Sequence, residues 1–394
     1  MKRLIAEGVK ADAIITDPPY ELGFMGKGWD NAGISFSPDV WRVALELAKP
    51  GAHMMAFGGS RTYHRIACAI EDAGWEIRDC IMWLYGSGFP KGSNIGKQID
   101  KKLGKARKVL GRGTRHGGGV VGNGSSSKLD PRIPNVTEPA SDEAKKWDGW
   151  NTALKPAFEP IIVARKPIKG SVVDNVLEHG TGGINVGACR IGGKERINNP
   201  MGSNNTECKS PYRLGSGPKN VVGRWPANVI MDEEAGAMLD AQYGIKPTSK
   251  GEIATGRNAL MGGLSGDTEK KQVPSFGYGD KGGASRFFYC AKSSVKEREA
   301  GLREAEGGIG ALRDNGRLGK RRLNLHPTVK PIALMRYLVR LITPPDGLII
   351  DPFTGSGTTG AAAALEGFNF MGCDISPYYV RIAKARIEHW SSGG

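Results

Sequence analysis

The chain has 394 residues, which allows one large domain with insertions or two ordinary domains. Its formal net charge of +15 favours a polyanionic partner, with nucleic acid first and an anionic membrane second, and a merely basic protein is the alternative. The sequence shows no apolar run of membrane-spanning length and no signal peptide, so we expect a cytoplasmic protein without a membrane partner.

The six cysteines form no C-x-x-C pair, which argues against zinc knuckles and redox motifs and is typical of a reducing compartment. We therefore predict no metal site. The 58 glycines are roughly twice the usual number and indicate long loops built largely from backbone.

The first informative stretch is residues 13–20, Ala-Ile-Ile-Thr-Asp-Pro-Pro-Tyr. Its apolar, β-branched start is typical of a buried strand in a parallel sheet. The two prolines after Asp17 remove backbone donors and stiffen the chain. The end of this strand therefore offers acceptors beside an aromatic face, a combination that suits the amino group of a nucleobase, although a surface Pro-Pro loop is the alternative.

Helices and strands alternate through the next 70 residues. We predict a helix over 39–48, a strand over 53–57, a helix over 61–72 capped by Ser60, and a strand over 76–84. This alternation predicts an α/β fold in which helices cover both faces of a parallel sheet.

The middle of the chain is less regular. Residues 86–150 are predicted to form a basic, flexible excursion, since residues 101–120 carry seven Lys or Arg and no acid, and this loop is either solvated or in contact with phosphates. A further buried strand is predicted over 158–164. Residues 171–320 suit a separate inserted lobe, with short strand candidates at 228–231 and 286–291.

The last 70 residues are regular again. Predicted elements are a helix over 332–342, a strand over 348–351, an Ala-rich helix, a strand over 369–374 and a helix over 378–390. Between the first strand and the Ala-rich helix lies Gly355-x-Gly357-x-x-Gly360, and Asp374 closes the next strand. This is the dinucleotide-binding pattern in its required context, and it predicts an adenosine-containing cofactor.

The runner-up for this pattern is a nicotinamide dehydrogenase, but too few residues follow Gly360 to complete its sheet. The missing strands must come from the N-terminal part, so we predict a sheet in circularly permuted order. Asp17-Pro18-Pro19-Tyr20 then lies on the strand beside the glycine loop, at the carboxyl edge where such folds bind ligands.

With these motifs together, the sequence resembles the amino-group DNA methyltransferases of the β arrangement, which modify adenine N6 or cytosine N4. The similarity is carried by Asp17-Pro18-Pro19-Tyr20, by residues 326–331 (His-Pro-Thr-Val-Lys-Pro) and by Phe353-Thr354-Gly355-Ser356-Gly357. The family usually has a Gly-Asp pair on a strand before the catalytic motif. Residues 1–16 contain no such pair, so we expect an abbreviated edge strand or a chain that begins late.

The resemblance implies a Rossmann-like S-adenosyl-L-methionine-dependent fold. Its catalytic half would span residues 1–170, a target-recognition region 171–322, and the cofactor-binding half 323–394. The implied catalytic residues are Asp17, Pro18, Pro19 and Tyr20. The implied cofactor-binding residues are Phe353, Gly355, Gly357, Thr358, Asp374, Thr328 and Lys330, the last two on the methionine carboxylate.

The implied reaction is methyl transfer from S-adenosyl-L-methionine to an adenine N6 in double-stranded DNA, after the base leaves the duplex. Asp at the first motif position favours adenine, and cytosine N4 is the alternative. An RNA methyltransferase and an inactive DNA-binding relative are further alternatives. The recognition sequence and an accompanying restriction nuclease are left open, as is the choice between monomer and homodimer.

Overall fold

The structure is a computed structural model that describes most of the chain. The described residues are 1–22, 30, 32–86, 88, 92–113, 120–121, 135–198, 219–247, 253–254, 272–273, 280–291, 296–302, 324 and 329–393. They divide into two compact units, one formed by Met1–Gly86 with Phe158–Gly394 and the other by Ser87–Ala157.

The described strands are β1 (Ala11–Thr16), β2 (Ala48–Phe57), β3 (Glu76–Leu84), β4 (Val109–Gly113), β5 (Val120–Val121), β6 (Asn135–Thr137), β7 (Phe158–Arg165), β8 (Ile191–Asn198), β9 (Lys219–Arg224), β10 (Val229–Asp232), β11 (Lys246–Pro247), β12 (Ile253–Ala254), β13 (Gln272–Val273), β14 (Lys281–Gly282), β15 (Tyr289–Ala291), β16 (Leu348–Asp351) and β17 (Asn369–Gly372).

The described helices are α1 (Lys2–Ala6), α2 (Pro38–Leu47), α3 (Tyr63–Asp72), α4 (Ile95–Lys102), α5 (Asp142–Lys146), α6 (Val172–His179), α7 (Glu233–Tyr243), α8 (Ile332–Ile342), α9 (Thr358–Glu366) and α10 (Pro377–Ser391). Within the described ranges, none of these helices has both the length and the apolar character needed to cross a bilayer.

An eight-stranded sheet organises the first unit, in the order β15-β10-β3-β7-β2-β1-β16-β17. Neighbouring strands are parallel except at β7, which is antiparallel to both β2 and β3. The α/β fold is therefore confirmed, with one antiparallel strand that the alternation of helices and strands did not predict. That the strand order is a circular permutation of the family's stays a prediction.

The central strands β1, β2 and β16 are buried on both faces of this sheet. Ile15 and Ile349 pack on the face covered by α8 and α9, and Ile14 and Ile350 pack on the face covered by α2 and α3. Successive side chains of a strand point to opposite faces, so a strand buried on both sides needs consecutive apolar residues. This requirement explains the continuous apolar runs that made these strands recognisable.

The C-terminal strand β16 pairs in parallel with β1 near the N-terminus, with Ile14 opposite Ile350. The carboxyl ends of both strands therefore meet at one edge of the sheet. The predicted proximity of the Asp17-Pro18-Pro19-Tyr20 segment and the glycine loop is confirmed.

Three expectations about the rest of the fold need correction. The expected flexible excursion over 86–150 lies almost wholly within the compact unit Ser87–Ala157, in which α4, α5 and a three-stranded sheet of β4, β5 and β6 are described. The expected separate lobe over 171–320 contributes β10 and β15 to the main sheet. Helix α3 begins at Tyr63 with Thr62 at its N-cap position, so Ser60 is not its cap.

Candidate active site

The segment Asp17 to Tyr20 leaves the carboxyl end of β1 and is held by contacts on both sides. The Thr16 hydroxyl donates to Oδ1 of Asp351 at 2.6 Å, which ties the end of β1 to the end of β16. The Pro19 carbonyl accepts from Ser35 Oγ at 2.7 Å. These contacts fix the backbone of the motif between the two strand ends.

Lys330 lies at the centre of a buried charged network with Asp17, Tyr20 and Glu159. Its Nζ lies 2.8 Å from Asp17 Oδ2, 3.0 Å from the Tyr20 hydroxyl and 3.1 Å from Glu159 Oε2. An ammonium has three donors, so these contacts use all of them. Only 7% of the Lys330 side chain is exposed, and no donor is left over for a cofactor carboxylate.

The charges in this network are mutually stabilised. Burial alone would lower the pKa of Lys330, but the Asp17 and Glu159 carboxylates outweigh it and raise that pKa above its ordinary value. Burial raises the pKa of Tyr20, and the same two carboxylates add to the effect. The phenol therefore stays protonated and donates to Glu159 Oε2 at 2.8 Å.

One atom of the network is left without a partner. Oδ1 of Asp17 is buried and accepts no hydrogen bond from any described residue, whereas Oδ2 is bound by Lys330. Buried polar atoms are nearly always hydrogen-bonded, so an exception calls for an explanation such as a catalytic role or a ligand. The Asp17 carboxylate therefore presents one fixed, free acceptor.

Glu159 is a site residue that the sequence analysis missed. It lies on β7 and is separated from Tyr20 by 139 residues. In the sequence, Glu159 stands out only as the charged residue of the otherwise apolar stretch Phe-Glu-Pro-Ile-Ile-Val-Ala over 158–164. An acid that is buried in such a strand nearly always has a charged partner, and this is the signal that could have identified it.

The glycine loop follows β16 and leads into α9. Gly355 and Gly357 both have positive φ, at 51° and 78°. The Gly355 N–H donates to Asp374 Oδ2 at 2.9 Å, so the carboxylate after β17 lies directly against the loop. Gly360 has a different function: a Cβ there would lie 2.4 Å from Cδ1 of Ile387, so this glycine allows α10 to pack closely.

A buried arginine, also missed from the sequence, supports the loop from behind. Arg386 on α10 donates to the Ser356 carbonyl and, at 3.2 Å, to the Thr358 hydroxyl. The Thr358 side chain therefore faces the protein interior. Any contact of Thr358 with the cofactor would be made by its backbone. Phe353 packs against Trp41 with 6.3 Å between ring centroids.

The residues around the loop fit an adenosine-containing cofactor. Asp374 accepts from the Gly355 and Ser376 N–H groups, and its carboxylate oxygens are of the kind that accept from ribose hydroxyls in such folds. The next residue, Ile375, is 96% exposed and gives an apolar surface that an adenine ring can cover. Thr328, the other residue predicted to bind the methionine carboxylate, lies outside the described residues, as does His326.

We expect Gly357→Ala to destabilise the protein more than Gly367→Ala does, although both glycines have nearly the same φ, +78° and +76°. A Cβ at Gly357 would lie 2.7 Å from the Ala383 Cα, whereas at Gly367 nothing lies within 4 Å. Gly367→Ala should cost about 1 kcal/mol from backbone strain alone, and Gly357→Ala about 1–3 kcal/mol more. Urea unfolding measures the loss in the free energy of unfolding for each variant. Equal losses for Gly357→Ala and Gly367→Ala would show that close packing of Gly357 against α10 is unimportant.

Asp351 gives the second prediction. Burial raises its pKa from 3.8 to about 6, although Thr16, Thr359 and the Phe353 N–H donate to it. Since the folded-state pKa is the higher one, protonation favours folding, and this contribution is lost as pH rises through 6. The stability of wild type relative to Asp351→Asn should increase by about 1 kcal/mol from pH 7 to pH 5. Urea unfolding at both pH values tests this prediction, with Asp346→Asn, an exposed position, as the control. If the difference in the free energy of unfolding between wild type and Asp351→Asn does not change with pH, the prediction is contradicted.

A family model matches most of this chain, and individual known proteins match short stretches of it. A family model described as DNA methylase matches residues 11–385. DNA adenine methyltransferase YhdJ of Escherichia coli (strain K12) is 37% identical over 70 residues, which are 17% of this chain and 24% of that protein. Type II methyltransferase M2.DpnII of Streptococcus pneumoniae is 43% identical over 63 residues, 16% and 24% of the two chains. The matched stretches thus span about a quarter of these relatives.

Solved structures also align along most of the chain. The M1.HpyAVI-SAM complex aligns with a TM-score of 0.39 and 16% identity, covering 98% of this chain and 93% of the other. PvuII DNA methyltransferase (cytosine-N4-specific) aligns with a TM-score of 0.40 and 13% identity, covering 96% and 81%.

Proposed function

The chain belongs to the DNA methylase family, and from this premise we propose that it transfers a methyl group from S-adenosyl-L-methionine to the exocyclic N6 of adenine in double-stranded DNA. Enzymes of this family use S-adenosyl-L-methionine. When bound, this cofactor supplies an electrophilic methyl group on a positively charged sulfur. The remaining steps fall to side chains of the chain itself.

The observation that carries the proposal is the free acceptor at Asp17. Its Oδ1 is buried without a partner, while Lys330 holds Oδ2 at 2.8 Å. An amino group has two N–H donors, and one of them would satisfy this oxygen. The Pro18 carbonyl would accept the second, since the neighbouring Pro19 carbonyl is already bound by Ser35.

Both hydrogen bonds would hold the two amino hydrogens, localise the nitrogen lone pair and aim it for in-line attack on the methyl group. Orienting the nucleophile in this way raises the rate, because the rotational freedom of the amino group is lost on binding and not in the transition state. Tyr20 would stack on the extruded base, an interaction of about 1–3 kcal/mol. Its ring is held in place by the hydrogen bond to Glu159 and by the Lys330 ammonium, 5.2 Å from the ring centroid.

We assign Lys330 and Glu159 to this catalytic arrangement as positioning residues. The sequence resemblance assigned Lys330 to the cofactor's methionine carboxylate, but its three donors are already used by Asp17, Tyr20 and Glu159. Lys330 would hold Asp17 in one orientation, and Glu159 would hold Lys330 and Tyr20. The cofactor would instead be held by the loop and its neighbours: Phe353, Gly355, Gly357, Thr358 and Asp374.

Two facts favour adenine over cytosine. The motif begins with Asp17, which in enzymes resembling this one is more usual for adenine, and the short match to YhdJ is to a protein named as a DNA adenine methyltransferase. Cytosine N4 has the same amino chemistry and would need the same acceptors. It is therefore the second outcome that an experiment must distinguish.

Nucleoside mass spectrometry tests the proposal directly. Methylation-free duplex DNA is incubated with the protein and S-adenosyl-L-methionine carrying an isotopically labelled methyl group, then digested. Label in N6-methyladenine is the expected result. Label in N4-methylcytosine would overturn the choice of base, and label only in a parallel RNA sample would overturn DNA as substrate. No label in either sample, with the cofactor bound, would overturn the proposed reaction.

A further inference from the structure

The compact unit Ser87–Ala157 carries a large share of the chain's positive charge. Its 71 residues contain fourteen Lys or Arg and six Asp or Glu, a net charge of +8 out of +15 for the whole protein. No feature of the proposed catalytic site needs this unit. Its charge therefore requires a separate explanation.

Several of the acids are used inside the unit. Asp100 is fully buried and accepts from Arg107 Nη1 at 2.6 Å, from the Ala140 N–H and from Ser141. Asp142 pairs with Lys145 at 2.9 Å. An acid bound to its own basic partner removes one charge of each sign from the surface, so the surplus of positive charge remains with the other lysines.

The helices α4 and α5 set the position of these lysines. The Ile95 N–H at the start of α4 donates to the Trp150 carbonyl just after α5, while Asp100 near the end of α4 binds Ser141, the N-cap of α5. The two helices are thus antiparallel and joined at both ends. This pairing gives the C-terminal end of α4 a defined position on the unit.

Three lysines at that end, Lys101, Lys102 and Lys105, form what we call the α4 lysine cluster. All three are exposed and none makes an ion pair with another described residue. Two exposed tryptophans follow the C-terminal end of α5: Trp147 and Trp150 are 45% and 60% exposed, with ring centroids 5.1 Å apart. Exposed apolar side chains in a polar surround mark interaction surfaces.

We infer that the unit Ser87–Ala157 binds the phosphate backbone of duplex DNA through the α4 lysine cluster. The inference rests on the proposed function, because it takes DNA as the substrate. Unpaired, exposed lysines contribute to DNA affinity by releasing counterions from phosphates, independently of sequence. DNA contact would then extend beyond residues 171–322, the region expected to recognise the target.

The test measures DNA binding, so it does not depend on methyl transfer. Fluorescence anisotropy with a labelled 30-base-pair duplex is recorded over a range of NaCl concentrations for wild type and for the triple variant K101Q/K102Q/K105Q. Each phosphate contact contributes about 0.9 to the slope of log affinity against log salt. We expect the triple variant to lose about 1–3 from the magnitude of that slope and to bind at least about tenfold more weakly at low salt.

The matched control is K2Q/K10Q/K169Q, which removes the same charge. These exposed lysines adjoin the amino end of β1 or the carboxyl end of antiparallel β7, at the sheet edge opposite Asp17. Circular dichroism checks that both variants stay folded. Equal slopes for the two triple variants would overturn the inference, as would a wild type that does not bind duplex DNA or binds only anionic vesicles. A wild type that binds through the cluster but methylates no DNA would refute the proposed function and leave the inference standing.

Discussion

Replacing Asp17 with Asn should reduce methyl transfer by about 10³-fold or more, while the affinity for S-adenosyl-L-methionine stays within about twofold of wild type. The volume of the side chain is unchanged, so the effect isolates its hydrogen-bonding character. Labelled methyl transfer to DNA measures the first quantity, and isothermal titration calorimetry the second.

The physical reason lies in how Lys330 would orient the amide. Lys330 has only donors, and its Nζ lies 2.8 Å from Asp17 Oδ2. An asparagine must turn its carbonyl oxygen toward that ammonium, which leaves its NH₂ group in the place of the free Oδ1. A donor would then face the amino group of the target base, which also donates. The substitution therefore replaces an attractive contact with a repulsive one.

Asp12→Asn is the matched control, since Asp12 lies on the same strand and also pairs with a lysine, Lys49, at 2.6 Å. It should retain methyl transfer because Asp12 is at the amino end of β1, away from the catalytic edge. Loss of cofactor binding in Asp17→Asn would contradict the assignment of Asp17 to the base. Transfer at near wild-type rate in that variant would remove Asp17 from the mechanism.

Much of the fold could be predicted because its central strands β1, β2 and β16 are buried on both faces. The ranges of β3, α8 and β16 agree with the prediction residue for residue, and each has a glycine or proline within two residues of both ends. The glycine loop and the Asp17 motif could be placed side by side, since ligands in such sheets bind at the carboxyl ends of neighbouring strands.

The rest depends on contacts between distant parts of the chain. The antiparallel direction of β7 between β2 and β3 leaves no periodic pattern in the sequence. Strands β10 and β15 overlap the strand candidates at 228–231 and 286–291, but at four and three residues they are too short to reveal from the sequence that they join the main sheet. Glu159 joins the site only because β7 lies beside β2 and β3, and its partner Lys330 lies 171 positions further along the chain.

Replacing Lys330 with Met should lower the free energy of unfolding by about 3–5 kcal/mol, the usual cost of leaving a buried charge without its partner. Two carboxylates, Asp17 and Glu159, would remain with no cation between them. Adding Glu159→Gln to this variant should recover part of the loss, because it removes one of the two like charges. Urea unfolding of both single variants and the double variant gives the coupling, expected at about 1–3 kcal/mol.

Lys166→Met is the control variant. It distinguishes the cost of leaving carboxylates unpaired from the general cost of replacing a partly buried lysine with methionine. Among the residues that the structure describes, the Lys166 Nζ donates only to the carbonyls of Leu45 and Ala48, both at 2.8 Å, so its replacement leaves no carboxylate there unpaired. Its cost should therefore be unchanged by Glu159→Gln. If Lys330→Met and Glu159→Gln were simply additive, the carboxylates would not share Lys330, and the positioning role of Glu159 would fail even if Asp17 were catalytic. A recovery specific to Lys330→Met would instead show that Glu159 is coupled to the lysine that binds Asp17 Oδ2, the arrangement that leaves Asp17 Oδ1 free for the base.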